Sequence, residues 1–133
     1  MEAIVVWYLR MSLVYLVVGS AVGFGMILWP DEAGYFIPLH VHVNLLGFMA
    51  MMIYGVGYHI LPKFSGRHVY SPRIMKVQFW FGNAGLIGMA AAWPFIISGE
   101  GGLFGGILIM ASVITFVSVF LFAVNILKTI KSV

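Results

Sequence analysis

The chain has 133 residues, of which 62% are hydrophobic and only 8% are Asp, Glu, Lys or Arg. Because roughly a quarter of the residues in a soluble globular domain are charged, this composition excludes a water-soluble protein. The sequence contains no cysteine, which also excludes disulfides, thiolate metal sites and iron–sulfur clusters.

Four long stretches of the chain carry no charged residue. They begin after Arg10, Glu32, Lys76 and Glu100. Each is long enough to cross the hydrocarbon core of a bilayer, which takes an α-helix of roughly 20 residues. Backbone groups find no water in that core, so each stretch must be helical. We therefore predict four transmembrane helices, at residues 4–29, 36–61, 73–97 and 102–128.

The connections between these helices are short and contain residues that end helices. The first carries Pro30, Asp31, Glu32 and Gly34, the second is the polar stretch KFSGRHVYSPR, and the third surrounds Gly99. Short connections make neighbouring helices antiparallel. The sequence thus predicts an all-α integral membrane protein, an up-down bundle of four transmembrane helices that forms a single domain over residues 1–133.

The basic residues predict the orientation of this bundle. With both termini in the cytoplasm, all of them fall on the inner side: Arg10, Lys63, Arg67, Arg73, Lys76, Lys128 and Lys131. Asp31, Glu32 and Glu100 then fall outside, which is a positive-inside pattern typical of an inner (cytoplasmic) membrane protein. The net charge of +3 therefore indicates contact with anionic lipid headgroups, and no nucleic-acid partner is predicted.

Most of the polar side chains that lipid should exclude lie in the second predicted helix. They are His40, His42, Asn44, Tyr54, Tyr58 and His59. An ionisable residue at membrane depth is costly to insert and therefore marks a candidate functional site. Neutral imidazole is also a common ligand for haem iron. The alternative for His40 and His59 is a plain interfacial position at either end of the helix.

Helical geometry limits how these histidines can act together. His40 and His42 are two residues apart, which places them about 200° apart around a helix. His59 follows His42 by 17 residues, or roughly 25 Å along the axis, so the two cannot share a metal. A bis-histidine iron at the depth of His42 would need a second copy of the chain. The intrachain alternative is a thioether ligand from Met26 or Met89.

Residues 36–94 resemble the second and third helices of the catalytic subunit of haem-copper oxidases, including nitric oxide reductases. The motifs that match are His42-Val43-Asn44, Gly47-Phe48 and the trailing Pro62. The resemblance implies that His42 is an axial ligand of haem b, with Asn44 and Gly47 in its setting. His40, on the opposite face, is the second candidate ligand.

The chain also departs from that family. The family subunit has about twelve helices, and the later ones, which supply the binuclear site and the second haem ligand, have no counterpart among the four predicted here. The family places arginines beside the haem propionates on the outer side, whereas every arginine here is predicted inside. A second placement is therefore open, with haem near His59 and its propionates facing Lys63 and Arg67.

These observations predict a membrane protein that binds haem b within a homo-oligomer, most simply a dimer sharing the haem. Its role would be electron transfer, with a respiratory partner, or redox or gas sensing. No ligands of an oxygen- or NO-reducing site are found, so no catalytic residue is predicted. One alternative is a non-haem accessory or assembly subunit of a respiratory complex. Another is a proton or ion conductor using His42, His59 and the tyrosines, although no intramembrane carboxylate is present.

Overall fold

The computed structural model describes residues 2–130 and contains four helices long and apolar enough to cross a membrane. They are α1 (Ala3–Leu28), α2 (Pro30–Phe64), α3 (Pro72–Ile97) and α4 (Gly101–Thr129). The predicted all-α bundle of four transmembrane helices is confirmed, and its helices contact the lipid bilayer. Lys131, one of the basic residues used to predict the orientation, lies outside the described residues.

The first connection is shorter than predicted, because its breaker residues begin α2 instead of separating two helices. Pro30–Glu32 form a 3₁₀ turn, and Ala33–His42 follow as α-helix. Proline suits the first position of a helix, where its missing N–H is not needed. Asp31 and Glu32 lie in that first turn, where carboxylates complement the helix dipole. The predicted start of the second helix at residue 36 was therefore wrong by about two turns.

The middle of α2 is not a regular α-helix. Val43–Ala50 form a π-helix, and the chain returns to α-helix over Met51–Phe64. π-Helical turns are rare and occur frequently at functional sites. This π-helical segment begins directly after His42, the candidate haem ligand. Nothing in the apolar pattern of these residues distinguishes a π-helix from an α-helix.

Two antiparallel pairs make up the bundle, α1 with α2 and α3 with α4, and α2 joins the pairs. The first half of α2 packs against α3, and its second half packs against α4. A Cβ atom on Gly47 would lie 2.6 Å from Tyr15 and 2.9 Å from Leu86. Glycine is therefore what lets α2 lie between α1 and α3 at this level, as small residues do between membrane helices.

Large apolar side chains cover the outside of the bundle. Trp80 is 67% exposed and Phe116 is 70% exposed. Such a surface is unsuited to water and suits contact with acyl chains. The bundle has two ends, which we name by one residue each. The Trp29 end is where α1 meets α2, and the Lys63 end is where α2 meets α3.

Candidate functional site

His42 lies on the side of α2 that faces α3. Its Nδ1 is 2.7 Å from the carbonyl oxygen of Pro38. A carbonyl only accepts, so Nδ1 must carry the proton and donate it. In the neutral ring this leaves the lone pair on Nε2, the tautomer that binds a metal. A metal-ligating histidine usually donates its other ring N–H to a backbone carbonyl or a carboxylate in this way.

The half-buried His42 ring borders a small cleft between α2 and α3, with Met89, Ala90 and Trp93 on the opposite wall. The ring centroids of His42 and Trp93 are 6.0 Å apart. The Trp93 indole nitrogen is buried and has no hydrogen-bond partner in the described part of the chain. An unpaired buried N–H is costly, so the Trp93 indole, close to the His42 ring, keeps one donor without a partner among the described residues.

The size of this cleft decides where a porphyrin fits. Its volume is about 10 Å³, which is the space of roughly one water molecule, whereas ligand pockets occupy roughly 300–1,000 Å³. The donor chemistry of His42 therefore fits a haem, but the interior of one chain does not enclose it. A haem bound by His42 has to lie on the surface of the bundle or between two chains.

His40 lies on the other side of α2, against α1, as the predicted angular separation requires. Its Nδ1 is 2.9 Å from the carbonyl oxygen of Gly19. The Asn44 side chain donates to the backbone carbonyl of His40 at 2.8 Å. A Cβ on Gly23 would lie 2.7 Å from the His40 ring, and a Cβ on Gly19 would collide with the Asn44 side chain. These two glycines of α1 therefore make room for His40 and Asn44. The observed contacts of His40 are therefore those of a side chain that packs between two helices, α1 and α2.

Met89 and Met26, the two thioether candidates, lie in different places. Met89 borders the cleft beside His42, and its sulfur accepts a hydrogen bond from the Ser112 hydroxyl at 3.5 Å. Met26 lines a separate cavity with Trp29 and Phe36. The structure therefore brings Met89, but not Met26, to the candidate ligand.

His59 and Gly47 have neighbours of their own. The Lys63 ammonium donates to Nε2 of His59 at 3.0 Å, so this ring nitrogen is already paired. Gly47 is in close contact with Tyr15 on one side and Leu86 on the other, so it does not border an open cavity. Among residues 2–130, no group of three or more His, Cys, Asp or Glu side chains can hold a metal ion.

A polar network at the Lys63 end was not predicted from the sequence. Tyr58 on α2 donates to the Gln78 side chain on α3 at 2.6 Å, and Asn125 on α4 donates to the Tyr58 hydroxyl at 3.3 Å. The Asn125 amide also pairs with both the N–H and the C=O of Ser71, each at 3.0 Å. The signal in the sequence was the presence of lone amides in apolar helices.

One similar curated protein is the Cbb3-type cytochrome c oxidase subunit CcoN1 of Stutzerimonas stutzeri, which is 36% identical over 56 residues. The match covers 41% of this chain and 12% of that protein, so this chain matches only a small part of the relative. It supports the predicted relationship to the haem-copper oxidase superfamily. No family model matches the chain. No solved structure matches it either. The chain is thus a membrane protein, part of which is similar to a haem-copper oxidase subunit.

Proposed function

We propose that this chain binds haem b through His42 and acts in electron transfer, or in redox or gas sensing, without an oxygen- or NO-reducing site. The observation that carries the proposal is the hydrogen bond from Nδ1 of His42 to Pro38. It keeps the proton on Nδ1 and leaves Nε2 free to bind iron. The partial likeness to an oxidase subunit supports the same cofactor class.

We further propose that two chains share the haem. A low-spin haem needs two strong axial ligands, and each chain offers one half-buried imidazole with an unused nitrogen on that side of α2. The cleft of about 10 Å³ is too small for a porphyrin to lie between His42 and Met89. A two-fold axis beside α2 would use His42 twice, the isologous arrangement that homodimers favour.

In this arrangement the haem supplies a one-electron redox couple, and the chain supplies ligation and surroundings. His42 would hold the iron, and the Pro38 carbonyl, by accepting the Nδ1–H, would orient the ring and make it more basic. The Trp93 ring lies 6.0 Å from the imidazole, and its buried indole N–H has no partner among residues 2–130. Apolar surroundings limit the access of water to the cofactor, which is one of the means by which a protein sets a potential.

A pyridine haemochrome spectrum of the purified protein from haem-replete cells tests the cofactor. We expect a Soret band, with sharp α and β bands on reduction. His42→Ala should lose most of the haem because it removes the ligand. His68→Ala is the matched control, because His68 is exposed in the α2–α3 loop, and should keep it. Colourless wild-type protein would contradict the proposal and favour a non-haem accessory or assembly subunit.

We also propose that the protein lies in the inner (cytoplasmic) membrane with the Lys63 end and both termini in the cytoplasm. Lys63, Arg67 and Arg73 lie at that end, whereas Asp31 and Glu32 lie at the Trp29 end, and basic loops stay in the cytoplasm. Reporter fusions within 64–71 and at the C-terminus should report the cytoplasm, and a fusion near Asp31 the outside. A cytoplasmic signal at Asp31 would contradict this orientation.

A further inference from the structure

Another cavity, which the proposed haem site does not use, lies at the Lys63 end between the start of α1, the end of α2 and the loop after α2. Its volume is about 340 Å³, and its wall includes His59, Lys63, Arg67 and His68. It differs from the groove between α1 and α3, whose wall contains Trp7, Phe79 and Trp80. Cationic side chains thus gather at a cavity on the membrane boundary.

The donors in this cavity suit a phosphate group. Lys63 uses one N–H on Nε2 of His59, which leaves two of its three donors for a ligand. The Arg67 side chain is exposed, and a guanidinium binds phosphate oxygens in a two-pronged geometry. His68 is exposed beside them, so its ring is accessible to a bound anion.

The net charge of the cavity and its apolar walls indicate which class of phosphate compound fits it. Glu2 also lines the cavity, so Lys63 and Arg67 leave an excess of one positive charge when both histidines are neutral. That excess matches a singly charged phosphodiester. Val5, Pro62 and Val69 supply apolar walls, which a free phosphate ion would not use but the glycerol and first carbons of a lipid would.

We propose that this cavity binds the phosphodiester headgroup of a singly anionic phospholipid. Lys63 and Arg67 contact the phosphate, and the apolar walls contact the lipid backbone. Basic pockets between transmembrane helices bind lipid headgroups by this chemistry. The Tyr58 hydroxyl takes no part as a donor to the lipid, because it already donates to Gln78.

The test is the apparent dissociation constant of fluorescent phosphatidylglycerol, titrated into the purified protein in a mild detergent. The double variant Lys63→Gln/Arg67→Gln should bind on the order of 30-fold more weakly, since each basic residue near a membrane contributes a factor of about five. The matched control is Arg73→Gln/Lys76→Gln, which removes two exposed basic residues near the same end but outside the cavity wall. It should change binding by less than about threefold.

A charge-conserving variant and two competing ligands distinguish this proposal from its alternatives. Lys63→Arg/Arg67→Lys keeps both charges and should bind far more tightly than the double Gln variant, which separates lost charge from lost folding. Millimolar inorganic phosphate should not displace the lipid, and phosphatidylcholine should bind more weakly. Equal weakening in the two Gln variants would overturn the proposal, and so would displacement by inorganic phosphate. Haem content is expected to be the same in all of these variants, so the test is independent of the haem proposal.

Discussion

The two ends of α2 handle polar side chains in different ways. Toward the Lys63 end, Tyr58 binds side chains from α3 and α4, so three helices share one network. Toward the Trp29 end, His40 and His42 each place one ring nitrogen near a backbone carbonyl. The first arrangement uses its polar atoms to hold helices together, with the Gln78 side-chain nitrogen as an unpaired exception within the described residues.

The difference teaches which polar groups have bonding capacity left for a ligand. In a bilayer the polar side chains of Tyr58 and Asn125 have to find partners within the protein, and they do so in a fully buried setting. His42 keeps an accepting nitrogen beside a cleft. We therefore attribute helix association to the Tyr58–Asn125 network and propose haem binding at His42, with the π-helical segment Val43–Ala50 between them.

The largest expected effect on stability comes from breaking the network at its centre. Asn125→Leu removes the amide's bonds to Ser71 N–H, Ser71 C=O and Tyr58. At roughly 0.6 kcal/mol for each such bond in a membrane protein, the loss is about 2 kcal/mol. Reversible unfolding in mixed micelles would measure it.

The control for this variant is Ser112→Ala, because Ser112 is exposed and its hydroxyl binds a carbonyl of its own helix and, as a weaker contact, the Met89 sulfur. It should cost no more than a few tenths of a kcal/mol. An Asn125→Leu protein as stable as Ser112→Ala would show that the network does not hold the helices together. Haem content should be unchanged in both variants, because neither substitution removes a ligand of the proposed haem.

A smaller effect is expected at His40, which tests the assignment of haem binding to His42. His40→Ala removes the contact with the Gly19 carbonyl, so the expected loss of stability is about 0.6 kcal/mol. Haem content should stay near the wild-type level, because the ring packs against α1 and not beside the cleft. The same spectra and unfolding curves measure both. Loss of haem in this variant would show that His40 is a ligand, and would contradict the different roles that we assign to His40 and His42.

Much of the fold follows from the sequence because the bilayer imposes strong rules. The charge-free stretches predicted four helices, and the spacing of His40 and His42 predicted that they face different neighbours. The start of α2 was misjudged because Pro30, Asp31 and Glu32 suit both a turn and the first turn of a helix. The orientation remains a prediction.

The candidate site was predictable in its residue types and not in its contacts. The sequence marks His42 as unusual, but the bond to Pro38 and the nearness of Trp93 depend on rotamers and on the packing of α3. Likewise Asn125 meets Ser71 only because α4 packs at one register against α3. Hydropathy fixes which segments cross the membrane and does not fix that register.

The most direct test of the central claim is the ratio of haem to protein in the purified complex, measured together with its mass in detergent and its paramagnetic resonance spectrum. We predict one haem for every two chains, the mass of a homo-oligomer, most simply a dimer, and a bis-histidine signature. A haem-loaded monomer with a His–Met signature would contradict this claim, because His42 and Met89 would then hold the cofactor within one chain.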